Sequence, residues 1–100
     1  MNIFRAKKPY IIAGPCGAED EEQLHEVAKA ISNLPVSMMR AGVWKPRSKP
    51  GNFEGRGEIA LQWLQKIQQQ FQLPVCVEVA NQEQVVLALK YEMEAVWIGA

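Results

Sequence analysis

The fold is decided by residues 74–98, PVCVEVANQEQVVLALKYEMEAVWI. This stretch begins with an apolar run of strand length, Val75–Val79, and ends with a second one, Ala95–Ile98. The residues between the two runs have a helical period, and Asn81 is placed as the N-cap of that helix. A strand, a helix and a strand in this order predict a βαβ unit, in which the two strands are parallel.

The same alternation continues toward the N-terminus. Tyr10–Ala13 and Val36–Arg40 are predicted strands, and Asp20 is placed as the N-cap of a helix between them. The apolar stripes predicted to face the sheet are Leu24, Val27, Ala28 and Ile31 on the first helix; Ala60, Trp63, Leu64, Ile67 and Phe71 on the second; and Val85, Val86 and Leu89 on the third. The predicted solvated positions are His25 on the first helix and Gln62, Gln65, Gln68, Gln69 and Gln70 on the second.

The element order βαβαβαβ is compatible with two α/β architectures. Parallel units of this kind close into an eight-stranded barrel of about 250 residues or form an open, doubly wound sheet. A chain of 100 residues supplies about half of such a barrel, and no covering helix follows its last strand. We therefore expect residues 1–100 to be the first half of a (β/α)8 TIM barrel, truncated after strand 4 and without an internal domain boundary.

Composition excludes several classes of protein. The chain has 11 basic and 11 acidic residues and is 48% hydrophobic, so no net charge draws it to nucleic acid or to an anionic membrane. Its apolar runs are too short to span a bilayer, and its start lacks the apolar core of a signal peptide. The two cysteines have no paired spacing, which argues against a disulfide framework. These features predict a cytoplasmic protein with neither a nucleic-acid nor a membrane partner.

A basic segment follows the second predicted strand, at the end of the sheet where parallel α/β proteins bind ligands. Between Arg40 and Arg56 there are five cations against one acid, Glu54. Interleaved arginine and lysine suit a phosphorylated acid, because arginine forks a carboxylate or phosphate and lysine supplies a compact charge. The competing interpretation is an ordinary solvated loop. The other cations of the segment are Lys45, Arg47 and Lys49.

Cys16 comes directly after Gly14-Pro15 at the end of the first predicted strand, where a thiolate can serve as a nucleophile or a soft metal ligand. For Cys76, in the middle of the third strand, a small buried apolar group is the favoured interpretation. A metal needs three or four ligands, and the chain's only histidine, His25, is predicted to face solvent. A metal at Cys16 would therefore need ligands that this chain does not supply.

Glu78 lies within an apolar strand, where a carboxylate is costly unless it is paired or reaches a polar mouth. One interpretation is a salt bridge to an arginine of the barrel, and the other is an acid–base or water-orienting group beside the anion site. The tryptophans Trp63 and Trp97 are predicted to be packing residues. Trp44, inside the basic segment, is the one tryptophan considered able to shape the pocket.

Three motifs, in order and in spacing, resemble those of 3-deoxy-D-arabino-heptulosonate 7-phosphate synthase (DAHP synthase). They are Ile12-Ala13-Gly14-Pro15-Cys16, the run from Arg40 through Lys45-Pro46-Arg47-Ser48, and Trp97-Ile98-Gly99-Ala100. The resemblance extends from about Pro9 to Ala100. It points to the compact bacterial branch, which is shared with 3-deoxy-D-manno-octulosonate 8-phosphate synthase and includes members with a fused chorismate mutase domain.

The resemblance implies a metal-dependent, aldol-like condensation of phosphoenolpyruvate with erythrose 4-phosphate, in the shikimate pathway to aromatic amino acids. It also implies a homo-oligomer. Cys16 would be a ligand of a divalent metal such as Mn, Fe or Zn, and Glu78 would line the pocket with a catalytic role. The implied substrate-binding residues are Arg40 and Lys45 for phosphoenolpyruvate, with Lys45 also catalytic; Pro46, Arg47 and Ser48 for the aldose phosphate; and Gly99 and Ala100 for phosphoenolpyruvate.

Two departures from the family pattern affect these expectations. Ser48 stands where the family commonly has threonine, and the sequence stops before the arginine of a Gly-Ala-Arg motif. The family's remaining metal ligands belong to later strands, so we expect the 100-residue chain alone to be inactive. Two alternatives stay open: the octulosonate synthase, which typically has Lys-Ala-Asn-Arg-Ser at the position of Lys45-Pro46-Arg47-Ser48, and a non-catalytic, self-associating half-barrel.

Overall fold

Three helices alternate with four parallel strands in the computed structural model, which describes residues 10–44 and 57–98. The elements are β1 (Ile12–Ala13), α1 (Glu21–Ile31), β2 (Met38–Ala41), α2 (Glu58–Phe71), β3 (Val75–Val79), α3 (Gln82–Lys90) and β4 (Ala95–Ile98). No helix in this part of the chain is long and apolar enough to cross a bilayer.

The strands lie in the order β1-β2-β3-β4, and each pair of neighbours is parallel. A doubly wound sheet reverses its strand order at a switch point, whereas a barrel adds each strand beside the previous one. The sequential order therefore confirms the predicted first half of a (β/α)8 barrel and excludes the doubly wound alternative for these strands.

Two strand boundaries differ from the prediction. β1 covers only Ile12–Ala13 of the predicted Tyr10–Ala13, and β2 begins at Met38 instead of Val36 and ends one residue later. The late start has a local cause: the Val36 N–H donates to the Leu34 carbonyl at 2.7 Å, so the chain is still turning there. The Leu34-Pro35 signal that predicted the start of β2 marks this turn, and the strand begins after it, at Met38.

The two faces of the sheet have different surroundings. On the outer face, Met39, Ala41, Val75, Val77 and Val79 are buried against the helices and form the main core. On the inner face, Met38 and Cys76 form a smaller cluster with Tyr10, Ala95 and Trp97. Because side chains alternate along a strand, each strand contributes residues to both faces.

Both predicted N-caps are confirmed. The Asp20 side chain accepts from the Gln23 N–H at 2.7 Å, and the Asn81 side chain accepts from the Gln84 N–H at 2.9 Å. Each cap satisfies one of the donors that the first turn of a helix leaves without a partner. The two helices therefore begin where the sequence predicted.

The predicted facing of α3 is wrong for two of its three residues. Val86 and Leu89 are 57% and 66% exposed, whereas Ala88 is fully buried and Val85 packs against the core. The small side chain of Ala88 turns toward the sheet, which lets the helix backbone approach closely. The larger apolar side chains at positions 86 and 89 are thereby rotated outward.

Two predicted solvated positions have structural roles. Gln68 is half-buried, and its side-chain oxygen accepts from the Val75 N–H at 2.9 Å and the Glu94 N–H at 3.2 Å. It therefore ties α2 to the starts of β3 and β4. His25 is also half-buried, with its ring edge-on to Phe71 at 5.3 Å between centroids. The long glutamine side chain and the neighbouring aromatic ring were not apparent from helical period alone.

Candidate active site at the carboxyl ends of the strands

Three of the predicted site residues fall in the described part of the chain: Cys16 after β1, Arg40 in β2 and Glu78 in β3. The other predicted site residues lie outside the described residues: Lys45, Pro46, Arg47, Ser48, Gly99 and Ala100. The remaining charged residues of the basic segment, Lys49, Glu54 and Arg56, also lie outside them.

Gly14 brings the turn after β1 against the backbone of Arg40. Its φ is +154°, and a Cβ placed on it would lie 1.9 Å from the Arg40 carbonyl oxygen. Only glycine allows so close a contact between two backbones, because every other residue has a Cβ. The glycine of the Gly14-Pro15-Cys16 turn thus has a packing role that the sequence did not reveal.

The Arg40 side chain extends along the inner face toward β4. Its guanidinium carbon lies 5.2 Å from the centroid of the Trp97 ring, which is within range of a cation–π interaction. Its Nε is buried and has no hydrogen-bond partner among residues 10–44 and 57–98. The ion pairs within the same residues are Lys66–Glu21 and Lys90–Glu58, both between exposed side chains on the helices. Because neither ion pair includes Arg40, no carboxylate of these residues neutralises its guanidinium.

Glu78 is held by the same tryptophan. The Trp97 Nε1–H donates to Glu78 Oε1 at 3.2 Å, and the two residues are directly paired in the β3–β4 register. This contact differs from the arginine salt bridge considered for Glu78 on sequence grounds. The acid–base role of Glu78 stays a prediction.

Trp97 packs against the inner-face cluster, as predicted, and it also contacts both Arg40 and Glu78, which the sequence analysis did not foresee. The signal was present only in the pairing of strands, which places Trp97 opposite Glu78. Conversely, Trp44, considered as a pocket residue, packs against the outer core, and its Nε1 lies 3.5 Å from a Cβ placed on Gly57.

The inner face carries an open, concave pocket of about 440 Å³. Burial raises the pKa of the Cys76 thiol in this pocket, and the nearby Arg40 charge opposes the shift. An apolar lining strengthens the field of a charged group because it excludes water. Arg40 is the pocket's one charged lining residue in the described part of the chain. The full lining is Ile12, Met38, Arg40, Cys76, Ala95, Val96 and Trp97.

Cys16 is exposed at the carboxyl end of β1, on the same edge of the sheet as the end of β2. A thiolate suits Fe or Zn better than a hard ion such as Mg. Within the described ranges, no three side chains of histidine, cysteine, aspartate or glutamate come together as a metal site. Cys16 fits the role of one soft ligand, and the described residues supply no complete set.

Parallel strands in sequential order, with helices on the outside and polar residues on the inner face, define a protein of the (β/α)8-barrel class. A family model described as the DAHP synthetase I family matches residues 3–100. The chain belongs to this family.

Relatives from Thermotoga maritima match most of the chain. The chain is 36% identical over 90 residues to a phospho-2-dehydro-3-deoxyheptonate aldolase of Thermotoga maritima, covering 90% of this chain and 26% of the relative. A crystal structure of the Thermotoga maritima enzyme of that name (DAHP synthase) matches with a TM-score of 0.81 and 33% identity, over 90% of this chain and 26% of that one. A truncated form of the 3-deoxy-D-arabino-heptulosonate 7-phosphate synthase from the same organism matches with a TM-score of 0.73 and 32% identity, over 91% of this chain and 32% of that one. The chain thus spans about a quarter to a third of the length of these relatives.

Proposed function

We propose that the native protein is a 3-deoxy-7-phosphoheptulonate synthase, which condenses phosphoenolpyruvate with erythrose 4-phosphate. One observation carries the proposal: in a chain of this family, Arg40 has a buried Nε without a partner in the described residues, and it lines a pocket on the inner face of the sheet whose other described lining residues carry no charge. A guanidinium in such a place needs an anion to satisfy its donors. Phosphoenolpyruvate supplies both a carboxylate and a phosphate.

Arg40 and Lys45 bind phosphoenolpyruvate in this proposal, with Gly99 and Ala100 contacting the same substrate. Lys45 also has a catalytic role. Pro46, Arg47 and Ser48 bind the phosphate of the aldose. The basic composition of residues 40–56 supports this assignment, because two anionic substrates require several fixed cations.

Cys16 would be one ligand of a divalent metal, and the metal would polarise the aldehyde as a Lewis acid. The exposed position of Cys16 at the mouth of the sheet supports this role. The Glu78 carboxylate would orient water or move a proton beside the bound anion. It is half-buried and held by the Trp97 N–H, which fixes one of its two oxygens.

Cytoplasmic location, a homo-oligomeric state and membership of the branch with a fused chorismate mutase domain complete the proposal. The mass of the native protein in solution tests the homo-oligomeric state, and the mass of its single chain tests the fused domain.

The experiment is a turnover assay of the native protein with phosphoenolpyruvate, erythrose 4-phosphate and Mn²⁺, following phosphate release and the sugar acid product. The Arg40→Met variant should raise the KM for phosphoenolpyruvate about 10- to 100-fold, because it removes a charge-assisted hydrogen bond. Lys66→Met, which removes an exposed cation on α2, is the matched control and should leave the KM unchanged. Absence of turnover with this aldose, or an unchanged KM in Arg40→Met, would contradict the proposal.

The same assay separates the octulosonate synthase alternative. Turnover with arabinose 5-phosphate and none with erythrose 4-phosphate would establish that activity instead. The Pro46-Arg47 pair favours the heptulosonate reaction, because the octulosonate enzyme typically has Ala-Asn-Arg after the lysine.

A further inference from the structure

We propose that Trp97 is a positioning residue that keeps Arg40 available to phosphoenolpyruvate by holding Glu78 away from it. The inference rests on the proposed function, because it assumes that Arg40 binds this substrate. Trp97 itself need not touch the substrate, since it acts through two side chains that it contacts.

The strand register places Arg40 and Glu78 within reach of each other. Arg40 pairs with Cys76 across β2 and β3, and Glu78 lies two residues further along the same face. With neighbouring strands about 4.8 Å apart and a rise of about 3.3 Å per residue, such diagonal neighbours are about 8 Å apart, a distance that long side chains span. An arginine and a half-buried carboxylate within reach of each other attract and pair through two hydrogen bonds. Such a pair would occupy the donors that an incoming anion requires.

The structure shows a different partner for the carboxylate. Glu78 Oε1 accepts the indole N–H of Trp97 at 3.2 Å, and the ion pairs within residues 10–44 and 57–98 do not include Arg40. The indole nitrogen is a donor only, so it satisfies the carboxylate without adding a charge. Trp97 therefore competes with Arg40 for Glu78.

The ring of Trp97 acts on Arg40 at the same time. The guanidinium carbon lies 5.2 Å from the ring centroid, so the cation is attracted to the ring face and needs no carboxylate for this contact. The Nε donor stays without a partner in the described part of the chain. Trp97 thus contacts the Glu78 carboxylate through its indole N–H and the Arg40 guanidinium through the face of its ring.

The test is a double-mutant cycle on phosphoenolpyruvate binding, measured by titration calorimetry on the native protein. Binding is the readout because Glu78 belongs to the proposed catalytic machinery, so turnover would be lost for other reasons. Trp97→Phe keeps a ring face and removes the N–H, and it should weaken phosphoenolpyruvate binding about tenfold, which corresponds to about 1.4 kcal/mol. Trp63→Phe, a half-buried tryptophan of α2 against the outer core, is the matched control and should bind as the wild type does.

Rescue distinguishes positioning from packing. Glu78→Gln removes the charge that would neutralise Arg40, so its gain in affinity should be at least about fivefold larger in the Trp97→Phe background than in the wild type. A packing defect at position 97 would not respond to this change. Trp97→Gln keeps an N–H donor on a smaller side chain, and in that background the gain should equal the wild-type gain.

Each outcome has a defined meaning. Unchanged affinity in Trp97→Phe, or equal gains from Glu78→Gln in both backgrounds, overturns the inference and leaves the proposed function standing. If Trp97→Phe fails to fold by circular dichroism, the Trp97→Gln background decides, and a gain there well above the wild-type gain overturns the inference. A native protein that binds no phosphoenolpyruvate contradicts the proposed function itself.

Discussion

Replacing Gly14 with alanine should both destabilise the protein and weaken its anion site. The added Cβ would lie 1.9 Å from the carbonyl oxygen of Arg40, well inside contact distance. That oxygen belongs to β2, which is paired on both sides, so it cannot yield as the end of a flexible side chain would. The clash must therefore be relieved by moving either the turn or the strand that carries Arg40.

Two effects lower the free energy of unfolding of Gly14→Ala: overpacking and backbone strain. Overpacking a well-filled site costs about 1–3 kcal/mol, and holding a non-glycine residue in a rarely populated backbone region costs about 1–3 kcal/mol. Gly14→Ala suffers both, because its φ is +154°, and should lose about 4 kcal/mol. Gly57→Ala is the matched control: its φ of +65° is also unfavourable, but its Cβ would meet only Trp44 Nε1 at an ordinary 3.5 Å. It should lose only the backbone cost of about 1–3 kcal/mol.

The assay is urea unfolding of the native protein followed by circular dichroism, together with calorimetric titration of phosphoenolpyruvate. Gly14→Ala should unfold at a clearly lower urea concentration than Gly57→Ala, and its folded fraction should bind phosphoenolpyruvate about tenfold more weakly because Arg40 is displaced. If the two alanine variants lose the same stability, the close contact between Gly14 and Arg40 does not constrain the site, and the reasoning is refuted.

Three further predictions concern side chains away from this contact. Gln68→Ala should cost about 1–3 kcal/mol in urea unfolding, because it removes the side-chain acceptor of the Val75 N–H at the start of β3, whereas the exposed Gln69→Ala should change stability by less than about 0.5 kcal/mol. Because burial raises the pKa of the Cys76 thiol, its alkylation by iodoacetamide should need a higher pH in the folded protein than in the urea-unfolded protein, as mass spectrometry of the labelled peptide would show; equal pH profiles would contradict this. Tyr91→Phe should raise the pKa of Glu58 toward its ordinary value, measured by carbon NMR of the carboxyl group, because the Tyr91 hydroxyl hydrogen bond is the largest influence lowering it, ahead of Lys90; an unmoved titration would show that the hydroxyl is not the cause.

Local signals predicted the elements well. The caps at Asp20 and Asn81 are confirmed because capping depends on residues only three positions apart. The facing of α3 was not predictable in the same way, because an apolar stripe three residues wide fits more than one rotation of the helix. Packing against the sheet chose the rotation that buries Ala88. That choice depends on the neighbouring strands, which helical period alone does not describe.

The candidate site was predictable residue by residue but not as an arrangement. Glu78 was identified because a carboxylate in an apolar strand is unusual, and Arg40 because it opens a basic segment at the carboxyl end of a predicted strand. Their common partner Trp97 was not, because a tryptophan in an apolar run is equally consistent with simple packing. The relation among the three residues depends on the β2–β3 and β3–β4 registers, and a slip of one residue would turn each side chain to the other face.

The division of the sheet into two faces explains how a small set of polar residues is held without weakening the core. The main core lies on the outer face, where Met39 and Ala41 flank Arg40 along β2 and are fully or almost fully buried. These neighbours fix the strand, so the position of Arg40 is set by packing in which its own side chain takes no part. The inner face then carries charge next to apolar side chains such as Met38 and Cys76, which exclude water and strengthen the field of the guanidinium. Because alternate residues of one strand serve these separate purposes, a substitution at Arg40 should alter anion binding far more than stability, whereas Gly14, which touches the backbone between the two faces, should alter both.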